Sequence, residues 1–158
     1  MKEKLNMLYN KKIALLLAVF LIFTQRTLAV EYLVKVKPTN KITTSDANLK
    51  AGDVVEFATM EEVSTLHFQF KKGQKVTGVI TSLEPNDFGA QPAKIFIESF
   101  KTKDSNNNNT FKLKGVVYKK GKDYHSFTDN IMFYPLKGGE VKITPEKDTF
   151  RLYVEDNL

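Results

Sequence analysis

From Glu31 onward the apolar residues of this chain recur at every second position, and that period constrains the fold more than any other feature. Leu66, Phe68 and Phe70 alternate with His67, Gln69 and Lys71. Successive side chains of a strand point to opposite faces, so the pattern predicts a strand with one buried side and places His67 on the solvent side. The same reading predicts strands over 54–59, with Val55 and Phe57 inward, and over 76–83, with Val76, Gly78 and Ile80 on one face. Residues 94–101 set Ile95 and Ile97 against Phe96, Glu98 and Phe100, as in a strand covered on both faces. Strands over 111–118 and 149–154 complete the set, with Phe150, Leu152 and Val154 alternating with Arg151 and Tyr153.

Turn signals separate these runs. Lys71-Lys72-Gly73-Gln74 and Lys119-Lys120-Gly121-Lys122 predict tight hairpins. Lys50-Ala51-Gly52-Asp53, Leu136-Lys137-Gly138-Gly139 and Thr144-Pro145-Glu146-Lys147-Asp148 predict further turns. The tract from Asp104 to Asn109 reads as an exposed loop tip, and 84–93, with Pro85, Gly89 and Pro92, as a longer loop. Residues 123–134 fit an irregular segment or a short helix. The expected fold class is all-β: a small antiparallel barrel or sandwich of about six to eight short strands, preceded by an N-terminal signal helix. Leu49-Lys50-Ala51-Gly52-Asp53-Val54-Val55 echoes Phe70-Lys71-Lys72-Gly73-Gln74-Lys75-Val76, which favours a barrel of related hairpins.

The first 29 residues read differently. Lys2, Lys4, Lys11 and Lys12 face a single acid, Glu3, before an unbroken apolar run from Ile13 to Phe23. Thr27-Leu28-Ala29 then fits a small-residue cleavage site, so 1–29 has the pattern of a secretory signal peptide, with Val30 as the first mature residue. The competing reading is an uncleaved anchor through residues 13–23. That run has 11 residues, short of the roughly 20 that cross a bilayer as a helix. The sequence thus divides into this leader, an extension with one strand over 30–48, and a barrel-like domain over 49–158. Export by the general secretory route implies a periplasmic, cell-surface or extracellular location. The chain has no cysteine, so packing alone must hold the exported domain, with no disulfide, thiol nucleophile or thiolate metal site.

The order Leu49-Lys50-x-Gly52-Asp53-Val54-Val55-x-Phe57, then Phe70-Lys71-Lys72-Gly73-Gln74-Lys75-Val76-x-Gly78-Val79-Ile80, resembles a loosely defined group of bacterial exported β-barrel domains. In such domains a K-x-G-D or K-K-G-Q-K-V turn opens a strand, and a G-x-V/I strand crosses the barrel. The resemblance spans 49–100 and again 141–154. It implies a barrel fold and an envelope location, and its motifs name no catalytic residue.

Enzyme signatures are thin. No serine sits in a G-x-S-x-G setting. Gly115 to Lys122 departs from a phosphate loop, because five residues separate Gly115 from Gly121 where four are required. Glu61-Glu62 would point to opposite faces of a strand. His125, with Asp123 and Asp129 close in sequence, is the one arrangement suited to a divalent cation or an oriented base, and it equally fits a polar surface loop. Asn108-Asn109-Thr110 fits the N-glycosylation pattern, which asparagine runs generate by chance. No cofactor is expected.

Charge is informative once divided. The whole chain carries a formal charge of +6; residues 1–29 hold five basic residues and one acid, and the remainder is only +2. The basic excess is therefore mostly leader, and nucleic acid is a poor partner for an exported chain. The local concentration that remains is Lys112, Lys114, Lys119, Lys120 and Lys122, interleaved with Phe111, Tyr118 and Tyr124. These five lysines form a candidate patch for an anionic envelope polymer or another protein. A solvated hairpin whose lysines protect a strand edge would look the same. The expected function is an exported, non-catalytic β-domain with a binding or scaffolding role. The alternatives are a small metal-dependent or hydrolytic enzyme using His125 with Asp123 or Asp129, and the soluble domain of an anchored assembly.

Overall fold

The echoed sequences enter the sheet through the same turn. The computed structural model describes residues 29–88, 91–123 and 137–157. Its strands are β1 (Ala29–Pro38), β2 (Ile42–Thr43), β3 (Val54–Thr59), β4 (Val63–Ser64), β5 (Gln69–Phe70), β6 (Lys75–Glu84), β7 (Lys94–Lys103), β8 (Thr110–Leu113), β9 (Val117–Lys120), β10 (Lys142–Ile143) and β11 (Phe150–Asn157). Ahead of β3 and of β6, the fourth turn residue donates its N–H to the first carbonyl: Asp53 to Lys50 and Gln74 to Lys71, both at 3.2 Å. In each, φ is positive only at the third residue, 97° at Gly52 and 79° at Gly73, as a type II turn requires. The fourth side chain then closes the turn from the other side. Asp53 Oδ2 accepts from the Lys50 N–H at 2.9 Å, and Gln74 Oε1 accepts from the Lys71 N–H at 3.0 Å. The two strands so launched pair antiparallel, Val55 opposite Gly78 and Phe57 opposite Val76.

The main sheet has seven strands in the order β11-β1-β3-β6-β7-β8, with β9 also paired to β7. It belongs to the unit Glu31–Asp156. Residues 30–48, set off in the sequence as an extension, supply β1 and β2, and β1 pairs with β3 in this sheet. β8 lies along one half of β7, with Phe100 opposite Leu113, and β9 along the other, with Ile97 opposite Val117. Between them the chain leaves β7. The Lys114 N–H donates to the Tyr153 carbonyl at 2.7 Å, and the Tyr153 N–H returns a bond to Lys114 at 2.8 Å. This one rung joins the β8 side to β11 and nearly closes the sheet into an antiparallel barrel, so the expected all-β class holds. The single strand expected over 111–118 is corrected to two, because Lys114 turns away to make that rung.

Three other expectations change for local reasons. Residues 66–71 are not one strand. The Thr65 hydroxyl accepts the His67 and Phe68 N–H groups at 3.1 and 3.3 Å, turning the chain between β4 and β5 and leaving Leu66 96% exposed. β7 is not simply covered on both faces. Ser99 takes a φ of 55° at a register shift against β6, and the extra residue resets the alternation. Phe100 and Thr102 therefore face inward like Ile95 and Ile97. Lys119–Lys122 is no hairpin. Gly121 donates its N–H to Ala93 and Lys122 accepts from Gly139, so the chain runs on in extended contact. A Cβ on Gly121 would sit 1.9 Å from the Gly139 oxygen, which leaves room only for glycine. The loop tip is also only partly exposed: Asn106 to Asn109 are, but Asp104 is buried.

Four of the chain's 12 phenylalanines are fully buried among the described residues. Phe57, Phe68, Phe70 and Phe100 are all at most 1% exposed. Phe57 meets Phe100 edge-on at 5.5 Å, while Phe68 stacks on Phe70 at 4.6 Å and both touch Phe111. Burying such rings contributes about 1.5–3 kcal/mol each. The β4–β5 hairpin carries Phe68 and Phe70 into this core and is tied down by polar contacts. The Gln69 N–H donates to Asp104 Oδ1 at 2.9 Å, and the Ser105 N–H to the Gln69 carbonyl at 2.8 Å.

Candidate anion-binding face

Register decides which lysines meet. Lys101 of β7 stands directly opposite Lys112 of β8, and Thr77 of β6 stands opposite Lys101 on the other side. One step along the same register brings Lys75 opposite Lys103. All four lysines are exposed and point outward, because Phe100, Thr102, Leu113 and Val76 fill the inward positions. Neighbouring strands lie about 4.8 Å apart and alternate residues about 6.7 Å apart, so the four ammonium groups share one small area. Glu56 pairs with Lys75. Lys101, Lys103 and Lys112 have no ion pair among the described residues. Like charges directly opposite on a sheet destabilise it, so this lattice sits at a cost to the fold.

The five lysines singled out in the sequence do not form one patch. Lys112 belongs to the lattice. Lys114, two residues on, is bound by Glu155 and lies 3.7 Å from Glu31. Hydrogen bonding to Glu155 holds its ammonium above the usual lysine range. Lys119, Lys120 and Lys122 lie beyond the break, on the far half of the stave. Lys112 and Lys120 are thus separated by up to about 26 Å of extended chain. Lys119, Lys120 and Lys122 line a hollow of about 500 Å³ together with Glu140 and Lys142. Carboxylates answer the charge there. Lys119 pairs with Asp148 at 2.5 Å, Lys120 with Asp123 at 2.8 Å and Lys142 with Glu140 at 3.3 Å. Partial burial pushes the Asp148 carboxyl up, but the Lys119 ammonium and the Thr144 N–H outweigh it, so Asp148 titrates below the usual carboxylate range.

The bare lattice borders a groove of about 440 Å³, walled by β6, β7 and the asparagine loop. Its frame is rigid. The Thr102 hydroxyl donates to the Lys75 carbonyl at 2.9 Å, and Gln74 Nε2 donates to Thr102 Oγ1 at 3.0 Å and to the Lys103 carbonyl. Sequence reasoning missed Lys101 and Lys103, because the pairing that sets them beside Lys112 is made across the loop 104–109 and depends on the register of β7 with β8.

Of the histidines, His67 lies on the β4–β5 turn rather than on a strand face. Its Nδ1 donates to Asp156 Oδ1 at 2.7 Å, across 89 positions of sequence. Asp156 is buried at the end of β11, so the contact fastens the hairpin to the barrel. His125 and Asp129 lie outside the described residues, as do the leader through Leu28 and most of 123–134; Asp123 is engaged by Lys120.

Among the described residues the arrangement is a nearly closed antiparallel β-barrel with an aromatic interior and a lysine face on which Lys101, Lys103 and Lys112 have no ion pair. Comparison of the chain with protein-family models, curated proteins and solved structures finds no match.

Proposed function

We propose that this chain is an exported, non-catalytic β-domain that engages an anionic partner in the cell envelope or extracellular space through the outer face of β6, β7 and β8. The observation that carries the reading is the opposed pair Lys101 and Lys112 with Lys103 beside them, three ammonium groups without carboxylate partners among the described residues. A cost to stability borne on a small area is best explained by a ligand that relieves it. The packed phenylalanine interior supports a binding role on the surface rather than a reaction within the barrel. The leader pattern of residues 1–29 supports the location.

The test is retention of the full chain on immobilised dextran sulfate as salt is raised. The variant Lys101→Gln/Lys103→Gln/Lys112→Gln should elute at clearly lower salt, since exposed charge contacts are screened within a Debye length of about 8–10 Å. The control Lys114→Gln/Lys119→Gln/Lys120→Gln should shift elution less, because its lysines are already paired. Equal elution of the triple variant and the parent would refute the reading.

A further inference from the structure

We propose that the groove beside the lysine lattice is a binding site for a phosphodiester polymer of the polyol-phosphate kind, an inference that rests on the anion-binding reading above. Four groups in the groove are unengaged among the described residues: the Lys101 and Lys103 ammonium groups, the Asn108 side-chain amide and the Thr110 hydroxyl. Each can donate. The acceptors are used or turned inward. Gln74 Oε1 takes the Lys71 N–H at 3.0 Å and the Ser105 hydroxyl, and Asp104 Oδ1 takes the Gln69 and Asn106 N–H groups. Asp104 Oδ2, which has no partner among the described residues, is buried in a residue only 1% exposed. A site offering donors and positive charge on a fixed frame selects an anion.

The chemistry of the donors narrows the anion. Lysine is a compact point charge suited to a single phosphate oxygen, whereas planar bidentate recognition of carboxylates favours arginine. The chain has only two arginines, Arg26 and Arg151, and neither lines the groove. The lining residues also carry no aromatic ring. Single-stranded nucleic acid and ring-stacked sugars draw affinity from aromatic platforms, at about 1–3 kcal/mol per stacked base. The tilted pair Phe96 and Tyr118, with centroids 4.6 Å apart, lies on the other half of β7. A flexible polyol-phosphate chain needs no platform. Its successive phosphates reach Lys101, Lys103 and Lys75 in the groove and then Lys112 along the lattice. The groove volume falls within the roughly 300–1,000 Å³ of ordinary ligand sites.

The experiment titrates the full chain with a short poly(glycerol phosphate), and in parallel with polygalacturonate, dextran sulfate and an unstructured single-stranded oligonucleotide. Saturable binding of the polyol phosphate, tightest of the four, is expected. Lys101→Gln/Lys103→Gln should weaken it about tenfold, equivalent to about 1.4 kcal/mol. Asn108→Gly, which removes the side chain and keeps the φ of 61° accessible at this position, should weaken it about threefold, and the lysine variant should unfold at a midpoint no lower than that of the parent. Tighter binding of any of the other three polyanions, or equal binding of all four, would overturn the polyol-phosphate assignment while leaving the anion-binding reading intact. Polyol-phosphate binding that survives Lys101→Gln/Lys103→Gln would remove the groove alone. Failure to bind any of the four would overturn both.

Discussion

Gly78 faces the barrel interior, and its missing side chain is filled by a neighbour. A Cβ there would lie 2.5 Å from the Phe100 ring and 2.9 Å from Ile97 Cγ2. Overpacking of this kind costs about 1–3 kcal/mol, so Gly78→Ala should lower unfolding free energy by that amount in urea titration. Gly78→Ala/Phe100→Leu should recover part of the loss, because the smaller side chain vacates the space. The sequence placed Gly78 on one face of its strand with Val76 and Ile80, and that face is the inward one. It held no sign that Phe100 would be the contact, because the Ser99 bulge that turns Phe100 inward has no clear signature in an ordinary serine. At the same scale, the 2.7 Å contact of His67 with Asp156 was hidden, since nothing local marks two residues 89 positions apart.

The paired turns show what one short motif supplies to an element. Gly52→Ala and Gly73→Ala each force a left-handed φ on a residue with a Cβ, at about 1 kcal/mol apiece by thermal or chemical unfolding. The two fourth residues should differ. Asp53→Ala removes one side-chain acceptor, whereas Gln74→Ala also removes the bonds to Thr102, Lys103 and Ser105 that brace β6 against β7. Gln74→Ala is therefore expected to cost more, and an equal cost would show that the brace carries little energy. β3, β6 and β11 were legible because strict alternation needs only one buried face. The β4–β5 hairpin and the split between β8 and β9 were not. In both, an apolar or aromatic run continues through a turn made by a single hydroxyl or a single distant rung, and periodicity sees neither.

For the whole molecule, charge and stability oppose one another on the β7–β8 face. Lys101→Glu would set a carboxylate opposite Lys112. It is expected to raise unfolding free energy by about 0.2–1 kcal/mol while reducing retention on polyanions. A gain in stability without loss of retention would show that the lattice is incidental. One of the four lysines of this face was legible: Lys112 stood out in a lysine-rich stretch, but the sequence joined it to Lys114, which Glu155 binds, and to Lys119, Lys120 and Lys122, which the fold carries away. Lys101 and Lys103 went unnoticed because only strand register, set by bulges and loop length, makes them neighbours of Lys112.

The rung between Lys114 and Tyr153 has a consequence for how the chain comes into being. Strands joined by short loops can pair as soon as those loops close, whereas this rung joins residues 39 positions apart. β1, β3, β6, β7 and β8 can all be paired while β11 is still free, and until then both margins of the sheet stay open. The barrel is therefore completed by the docking of β11, and a chain that has not yet made that contact is a sheet that has not met its own edge.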